Sequence, residues 1–402
     1  MADIVDLTRV RRASLRDATT ARARIDAPPA REPAFVPLID VDVDEWRSLA
    51  ERAIEPNGYY LPDWELAVNA TAPGRTGASA LAAWGSQGLT GLMPVISLRQ
   101  AMRIPLPALV SAHPYGTLCT PFLDGETAVD AALRLMRAAR EGGARALLLR
   151  EVALDGAAMK TFNEVLRVEG LRSRILNWHL RATLDARGDA DELLREALSA
   201  KKLKELRRQR HRLAEHGEVR FDIARSAQEV SGALETFLAL EASGWKGERG
   251  TALSQSEGDA AFIRRATQAL AGRGQCEIIT LHAGTTPIAA GIVLRHQARA
   301  FFFKIGVDER FVKYSPGVQL TLELTRHLCA DPAIRSADST ASPDHPMINP
   351  IWRGRFAIGD VLIPLRPNDP AVALIHAALV ARQTARDAAR WGVRLVRGLR
   401  KR

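Results

Sequence analysis

The period of apolar and polar positions changes along this chain, and the changes mark its elements. Arg299-Ala-Phe-Phe-Phe-Lys-Ile-Gly-Val307 is aromatic and β-branched, and Phe301, Phe303, Ile305 and Val307 recur at period two, the spacing of one strand face. A polar loop from Asp308 to Ser315 follows, and from Val318 to about Ala330 the apolar positions take helical spacing. Ser315 is placed to cap that helix, and Pro316 stands at its first position, where a missing N–H costs nothing. Gly317 leaves the first turn without a side chain. The free N–H groups there, of Gly317 and Val318, and the positive end of the helix dipole would suit a pyrophosphate, with Lys313 just upstream. Ser-Pro-Gly is equally an ordinary helix start.

The rest of the chain divides by the same reading. Residues 1–34 mix Arg, Asp, Ala and Thr without a period and end in prolines, the pattern of a disordered arm. From residue 35 the spacing predicts a helix capped by Asp44, a second from Asp63 to about Ala70, and a hairpin of Ala78–Trp84 with Leu89–Ile96. Pro94 points to an irregular or edge position in that hairpin's second strand. Residues 101–126, rich in Pro and Gly, read as irregular. Helices over 127–140 and 159–168 alternate with strands over 144–149 and 174–184. Asp189–His216 is strongly helical, with Leu203, Leu206 and Leu213 on one side of an otherwise cationic run. A second set of elements then repeats the order. Helices over 234–242 and 258–271 lead to a hairpin of Cys276–His282 with Ile288–Leu294, then the strand and helix above, and a strand over 334–338. The two hairpins share the order strand, glycine-containing turn, strand, as related α/β units would.

Composition narrows the classes. At 402 residues, 47% hydrophobic and 25% charged, the chain has room for two sizeable cores. No apolar run reaches membrane-spanning length and the start lacks a signal-peptide core, so a cytoplasmic location is expected. Cys119, Cys276 and Cys329 lie far apart, and no histidine pairs at metal-ligand spacing, so neither a disulfide framework nor a metal site is expected. The net charge of +10 sits at the ends: residues 381–402 hold seven Arg and one Lys against Asp387, and residues 1–31 hold seven Arg against four Asp. A nearly neutral body argues against a broad nucleic-acid face, and no specific DNA binding is expected. From Asp369 the tail reads as a basic amphipathic helix, with Arg382, Arg386, Arg390, Arg394 and Arg397 in a stripe and Leu379, Trp391, Leu395, Val396 and Leu399 as its apolar surface. That helix could rest on an anionic inner membrane surface or remain solvated.

The run Tyr314-Ser-Pro-Gly-Val-Gln-Leu320, after an aromatic strand and a loop containing Asp308, resembles the BioF-like or CelD-like acetyltransferase domain of the GNAT superfamily. Proteins of this kind are often associated with cellulose or exopolysaccharide synthesis. Glu45-Trp46, Lys201–Leu213, Glu241-Ala-Ser-Gly-Trp-Lys246 and the hairpin at 276–294 carry the resemblance further, over roughly 36–366. It implies an α/β (α+β) fold of two tandem GNAT-like domains, each a mixed central sheet flanked by helices, as in Fem-type aminoacyl transferases. The expected bounds are 35–186 and 219–368, joined by a basic connector over 187–218 and followed by the tail helix over 369–402. The chain departs from many relatives after Asp338: Trp352 is present, but a Tyr-Lys pair before it is not.

The resemblance also implies chemistry. An acyl-CoA, acetyl-CoA above all, would lie on Lys313, Tyr314, Ser315, Gly317 and Val318, and a backbone N–H near Lys304–Val307 would hold the oxyanion. Asp338, Asp344 or His345 would take the acceptor's proton, Tyr314 would protonate the thiolate or line the pocket, and the cleft would open where the strands ending at Val307 and Asp338 splay apart. Glu241, Trp245 and Lys246 are candidates for contacting the acceptor, a small-molecule or saccharide amine; a core anchor or a surface lysine would look the same in sequence. The expected activity is N-acyl transfer to an amino sugar or similar amine of envelope polysaccharide. The alternatives are a Fem-like transferase using charged tRNA and a non-catalytic scaffold subunit. The connector is either a solvated helix or a contact for phosphates.

Overall fold

The strand-forming runs pair edge to edge into one mixed sheet. The computed structural model describes residues 34–86 and 88–399, with the backbone alone at 246 and 390–399. Its strands are β1 (Phe35–Pro37), β2 (Ser79–Gly85), β3 (Gly88–Ser97), β4 (Ala108–Ser111), β5 (Phe122–Leu123), β6 (Ala146–Ala153), β7 (Arg174–Asp185), β8 (Val219–Ala224), β9 (Cys276–Ala283), β10 (Thr286–His296), β11 (Arg299–Val307), β12 (Ser336–Asp338) and β13 (Gly354–Pro364). The order across the sheet is β1-β2-β3-β4-β6-β13-β7-β12-β11-β10-β9-β8, with β5 beside β3.

Both halves follow one plan. Antiparallel strands lead to a helix, which returns to a parallel strand: β4 beside β6 in the first half, β11 beside β12 in the second. The final strands are then exchanged. β7 crosses to pair with β12, and β13 comes back from the end of the second half to lie between β6 and β7. The exchange satisfies the outer backbone groups of both parallel strands, which would otherwise be open edges.

A seam of rings joins the halves. Tyr59 and Trp64 of the first meet Phe301 and Phe303 of β11 edge-on or tilted, at centroid distances of 4.9–5.9 Å, and Trp64 meets Phe262 at 5.0 Å. Such pairs add roughly 0.5–1.5 kcal/mol each beyond their buried area. His296, at the end of β10, is bonded on both ring nitrogens to the first half: Nδ1 accepts from the Asn57 N–H at 2.9 Å and Nε2 lies 2.9 Å from the Ala50 carbonyl. Burial lowers its pKa to about 4, so the ring is neutral near pH 7 and the Asn57 bond fixes its tautomer.

Several sequence expectations shift. Asp42, rather than Asp44, caps the first helix (Val43–Glu51), accepting from both Asp44 and Glu45. The second helix starts at Pro62, so Asp63 lies inside it and pairs with Arg47 and Arg273. Pro94 sits in an inner strand; β4 pairs only with Val95–Ser97 and β5 only with Gly91 and Leu92, leaving Pro94 between partners on that side. The stretch read as irregular contains β4 and β5, too short to show a period. The connector is two helices, Ala190–Ala197 and Ala200–Leu213, separated at Ser199, which caps the second. β8 and β13 were not anticipated: β8 is half-buried except at the exposed Arg220, and β13 joins a charged start to a buried end. The final helix spans Pro370–Leu399, but Leu379 packs with Val372, Ile375 and Leu148 in a core cluster instead of facing outward. The arm expected before residue 34 and the side chains of Arg390, Trp391, Arg394, Leu395, Val396, Arg397 and Leu399 lie outside the described residues.

Candidate active site

The site is built from β11. Val293 of β10 faces Phe302 and Ile292 faces Lys304, so Phe303 is an unpartnered bulge residue. The bulge breaks the predicted face. Phe301 and Phe303 enter the core cluster shared with the first half, whereas Ile305 and Val307 turn to the side of Phe302. β12 pairs with β11 only along Arg299–Phe301, and beyond Phe301 the two strands part. The loop after β12 bends over the gap: the Thr340 hydroxyl donates to the Phe302 carbonyl at 2.6 Å. Past that contact β12 no longer pairs with β11, and a gap opens between the two parallel strands.

β11 then enters a 3-10 turn, Glu309–Tyr314, and the helix Pro316–Ala330. Ser315 holds the N-cap position with Pro316 after it, but in a left-handed conformation (φ 54°) and without a capping bond from its side chain. No acidic side chain stands in the first turn. Gly317 is small for a reason other than ligand approach. A Cβ there would meet the Met347 sulfur at 2.9 Å and Val307 Cγ1 at 3.3 Å, so the loop after β12 packs onto it. Lys313 is exposed, its ammonium 4.9 Å from the centre of the Tyr314 ring. Tyr314 is buried and its hydroxyl lies 2.9 Å from Nε2 of His216, a residue that sequence reasoning passed over. Tyr314 stands at the helix start that would bear the pyrophosphate. The thioester sulfur would be a whole pantetheine arm away, so Tyr314 suits lining the donor site rather than protonating the thiolate.

The equivalent helix of the first half, Ala128–Glu141, is blocked. Asp124 stands before it and accepts from the Glu126 and Thr127 N–H groups at 2.9 and 3.3 Å, with Arg52 paired to the same carboxylate. Burial alone would raise the pKa of Asp124, but Arg52 and these amides outweigh it and hold it below the usual value. The first half thus carries a carboxylate bonded into the turn that leads to its helix, whereas the first turn of the second-half helix carries no acidic side chain.

The proposed bases separate. Asp338 is 1% exposed; Oδ2 pairs with Arg181 at 3.1 Å and Oδ1 accepts from the Thr340 N–H at 2.7 Å. Arg181, on β7 and also 1% exposed, donates as well to the Thr117 carbonyl at 2.6 Å. This buried pair ties β7, β12 and a first-half loop together, which makes Asp338 a structural carboxylate and corrects its assignment as the base. The signal for it was present: Arg181 is a charged residue directly before the apolar run Ala182-Thr-Leu184 of its strand. Asp344 is exposed, with φ 55°. His345 is half-buried, and burial lowers its pKa, which leaves a neutral imidazole at pH 7.

Of the second candidate group, Glu241 is a buried anchor. Its carboxylate accepts from the Leu253 N–H at 2.9 Å and lies 3.4 Å from the Lys304 ammonium. Gly244 ends its helix, as the spacing predicts, and the Trp245 N–H donates to Glu309 at the start of the 3-10 turn. Trp245 is half-exposed, with the Arg249 guanidinium 4.9 Å from its ring centre. The backbone of Lys246 continues the short helix Trp245–Glu248; its side chain is not among those described.

This architecture is that of two GNAT-like units in tandem, a mixed α/β fold. Residues 200–345, which include the turn Glu309–Tyr314 and the start of the helix after it, match the model of the acetyltransferase (GNAT) domain. Similar solved structures include FemX (TM-score 0.54, 11% identity, covering 84% of this chain and 98% of that one). The C-terminal DUF2156 domain of an Agrobacterium fabrum protein described as a lysylphosphatidylglycerol synthetase gives 0.52, 13%, 84% and 96%. L-PGS from Bacillus licheniformis gives 0.50, 12%, 87% and 99%. At these identities the likeness is one of fold. No curated protein matches the sequence.

Proposed function

We propose that this chain is an N-acyltransferase that moves an acyl group from acyl-CoA to an amine, with an amino sugar of envelope or exopolysaccharide as the acceptor class. The observation that carries the reading is the contrast between the two helix starts. One is preceded by Asp124, bonded into its leading turn, and the other, at Ser315–Val318, carries no acid in its first turn and follows a bulged strand beside a gap. These residues fit a phosphate: free helix N–H groups, an exposed Lys313 and no competing carboxylate.

Acyl-CoA supplies the activated thioester when bound. The N–H groups of Gly317 and Val318 and the Lys313 ammonium hold its phosphates, and Tyr314, fixed by His216, lines the wall. The backbone of β11 past Phe302, where β12 no longer pairs with it, stands beside the place where negative charge would develop, a contribution of the oxyanion-hole kind. His345 takes the acceptor's proton, since burial keeps it neutral, and Trp245 offers the acceptor a face. General-base help of this sort is typically worth about 100- to 10,000-fold. The test is release of free CoA thiol on mixing the full chain with acetyl-CoA and a panel of amino sugars. Turnover that falls at least about 100-fold in His345→Ala supports the assignment, and unchanged turnover contradicts it. A requirement for charged tRNA would instead support aminoacyl transfer, and acyl-CoA binding without turnover on any amine would support a scaffold.

We also place the protein at the inner membrane surface through its last helix. Val372, Ile375 and Leu379 anchor the start of that helix in the core, and from Ala381 to Ala389 it carries mostly exposed residues. A truncation must therefore spare the anchor, for example by ending after Thr384. The full chain is expected to sediment with anionic vesicles and the truncated chain to stay in solution; equal sedimentation would remove the idea.

A further inference from the structure

The basic connector covers a cavity that the acyl-transfer reading does not use. Between the helices Ala190–Ala197, Ala200–Leu213 and Pro316–Ala330 lies a cavity of about 310 Å³. Its apolar lining includes Leu203, Leu206 and Leu322, and its charged lining is four arginines, among them Arg195 and Arg207, against the two acids Asp191 and Glu323. The helices are held apart at fixed spacing by specific bonds: the Gln319 amide donates to the Leu206 carbonyl at 2.9 Å, and Arg210 pairs with Glu323 at 2.9 Å. Arg326 is likewise engaged, with Asp191 at 3.1 Å and Glu323 at 3.3 Å. Arg195 donates its Nε to the Asp191 carbonyl, and Arg207 is exposed and makes no ion pair among the described residues. Arg207 sits in a helix with seven Lys and Arg against the single acid Glu205, and none of these charges is required by the apolar packing of Leu206 and Leu213.

A leucine-lined cavity with unpaired guanidinium at its mouth selects one ligand chemistry. Guanidinium donors match phosphate oxygens, and the leucines match a hydrocarbon chain. The volume, at the low end of small-molecule sites (roughly 300–1,000 Å³), holds a headgroup and the start of one chain. We infer that this cavity binds a phosphate-headed amphiphile, the phosphate on Arg207 and Arg195 and the chain over Leu203 and Leu322. The helix Ala200–Leu213 also packs against the turn Glu309–Tyr314, so a ligand here would steady the donor loop from behind. The inference is independent of acyl transfer: no residue of β11 lines the cavity, and it could be occupied whatever the reaction.

The test is titration of the full chain with dodecyl phosphate below its micelle concentration. Arg207→Glu and Leu203→Trp, the second of which fills the cavity without changing charge, are each expected to weaken binding at least tenfold. Arg208→Glu, whose guanidinium already pairs with Glu205, should change it less than threefold. Dodecanol and inorganic phosphate, each carrying half of the chemistry, should bind far more weakly than dodecyl phosphate. A parallel arm asks whether short-chain phosphatidylglycerol, below its micelle concentration, displaces dodecyl phosphate from the full chain. Displacement assigns the ligand to membrane lipid, and no displacement alongside dodecyl phosphate binding assigns it to a free amphiphile; either supports the site. Equal affinity of wild type, Leu203→Trp and Arg207→Glu would overturn it. So would binding of short RNA that Arg207→Glu and Arg208→Glu weaken alike and Leu203→Trp leaves unchanged, which would make the helix a nucleic-acid face over an idle cavity. Should Leu203→Trp fail to fold, Arg195→Glu takes its place, since Arg195 is exposed.

Discussion

Replacing Arg181 by methionine is expected to destabilise the fold by about 3–5 kcal/mol, the usual cost of leaving one partner of a buried ion pair behind. Both members are 1% exposed, so water cannot take over for the lost guanidinium, and Asp338 would be stranded between β7 and β12. The change also removes the bond to the Thr117 carbonyl, loosening a first-half loop from the second half. The double variant Arg181→Met with Asp338→Leu should recover most of the loss, because a well-packed apolar pair can replace a buried ion pair at little net cost. Denaturant unfolding of the three variants measures this. A single Arg181→Met variant within about 1 kcal/mol of wild type would show that the pair is not sealed from solvent. The same geometry governs how catalytic data on Asp338→Asn should be interpreted. Its turnover should fall only with the folded fraction, whereas His345→Ala should lose turnover at unchanged stability.

The second large effect is expected at Ser315. Its side chain makes no capping bond, so Ser315→Ala should leave both stability and acyl-CoA affinity within about threefold. Ser315→Asp is different. Aspartate tolerates the left-handed conformation better than most residues, and an acid at a helix start is favourable, so stability should stay within about 1 kcal/mol. The new carboxylate, however, would stand where the second half keeps its anion position open, as Asp124 does in the first. Repulsion of a phosphate at that range, partly screened, is worth roughly 1.4–3 kcal/mol, or about 10- to 100-fold in affinity. A folded Ser315→Asp variant with unchanged affinity would place the phosphates elsewhere.

What could be read from the sequence was whatever a period or a local rule records. β11 and the helix after it appear at the predicted places because six apolar residues in nine and a Ser-Pro-Gly start are local signals. The tandem order of elements was legible for the same reason. The exchange of β7 and β13 was not: it depends on which strand leaves an edge unsatisfied, and β13 pairs with strands far from it in sequence. The bulge at Phe303 was hidden because the sequence keeps period two straight through it, and only the register against β10 shows the turn of face. Asp338 looked catalytic because it ends a strand beside the expected cleft. Its partner lies on β7, a pairing no local spacing encodes. His216 reached Tyr314 by the same kind of long-range contact. Asp124, by contrast, was visible as Asp-Gly-Glu-Thr before a helix, and its meaning emerged only beside the uncapped start at Ser315.

The most direct test of the central claim, one open donor site in the second half and a closed one in the first, is the stoichiometry of acyl-CoA binding. Calorimetric titration of the full chain with acetyl-CoA, followed by longer acyl-CoAs, should give one equivalent per chain, weakened about 10- to 100-fold by Ser315→Asp. Two equivalents, or binding indifferent to Ser315→Asp, or no binding of any acyl-CoA to the folded chain, would contradict it.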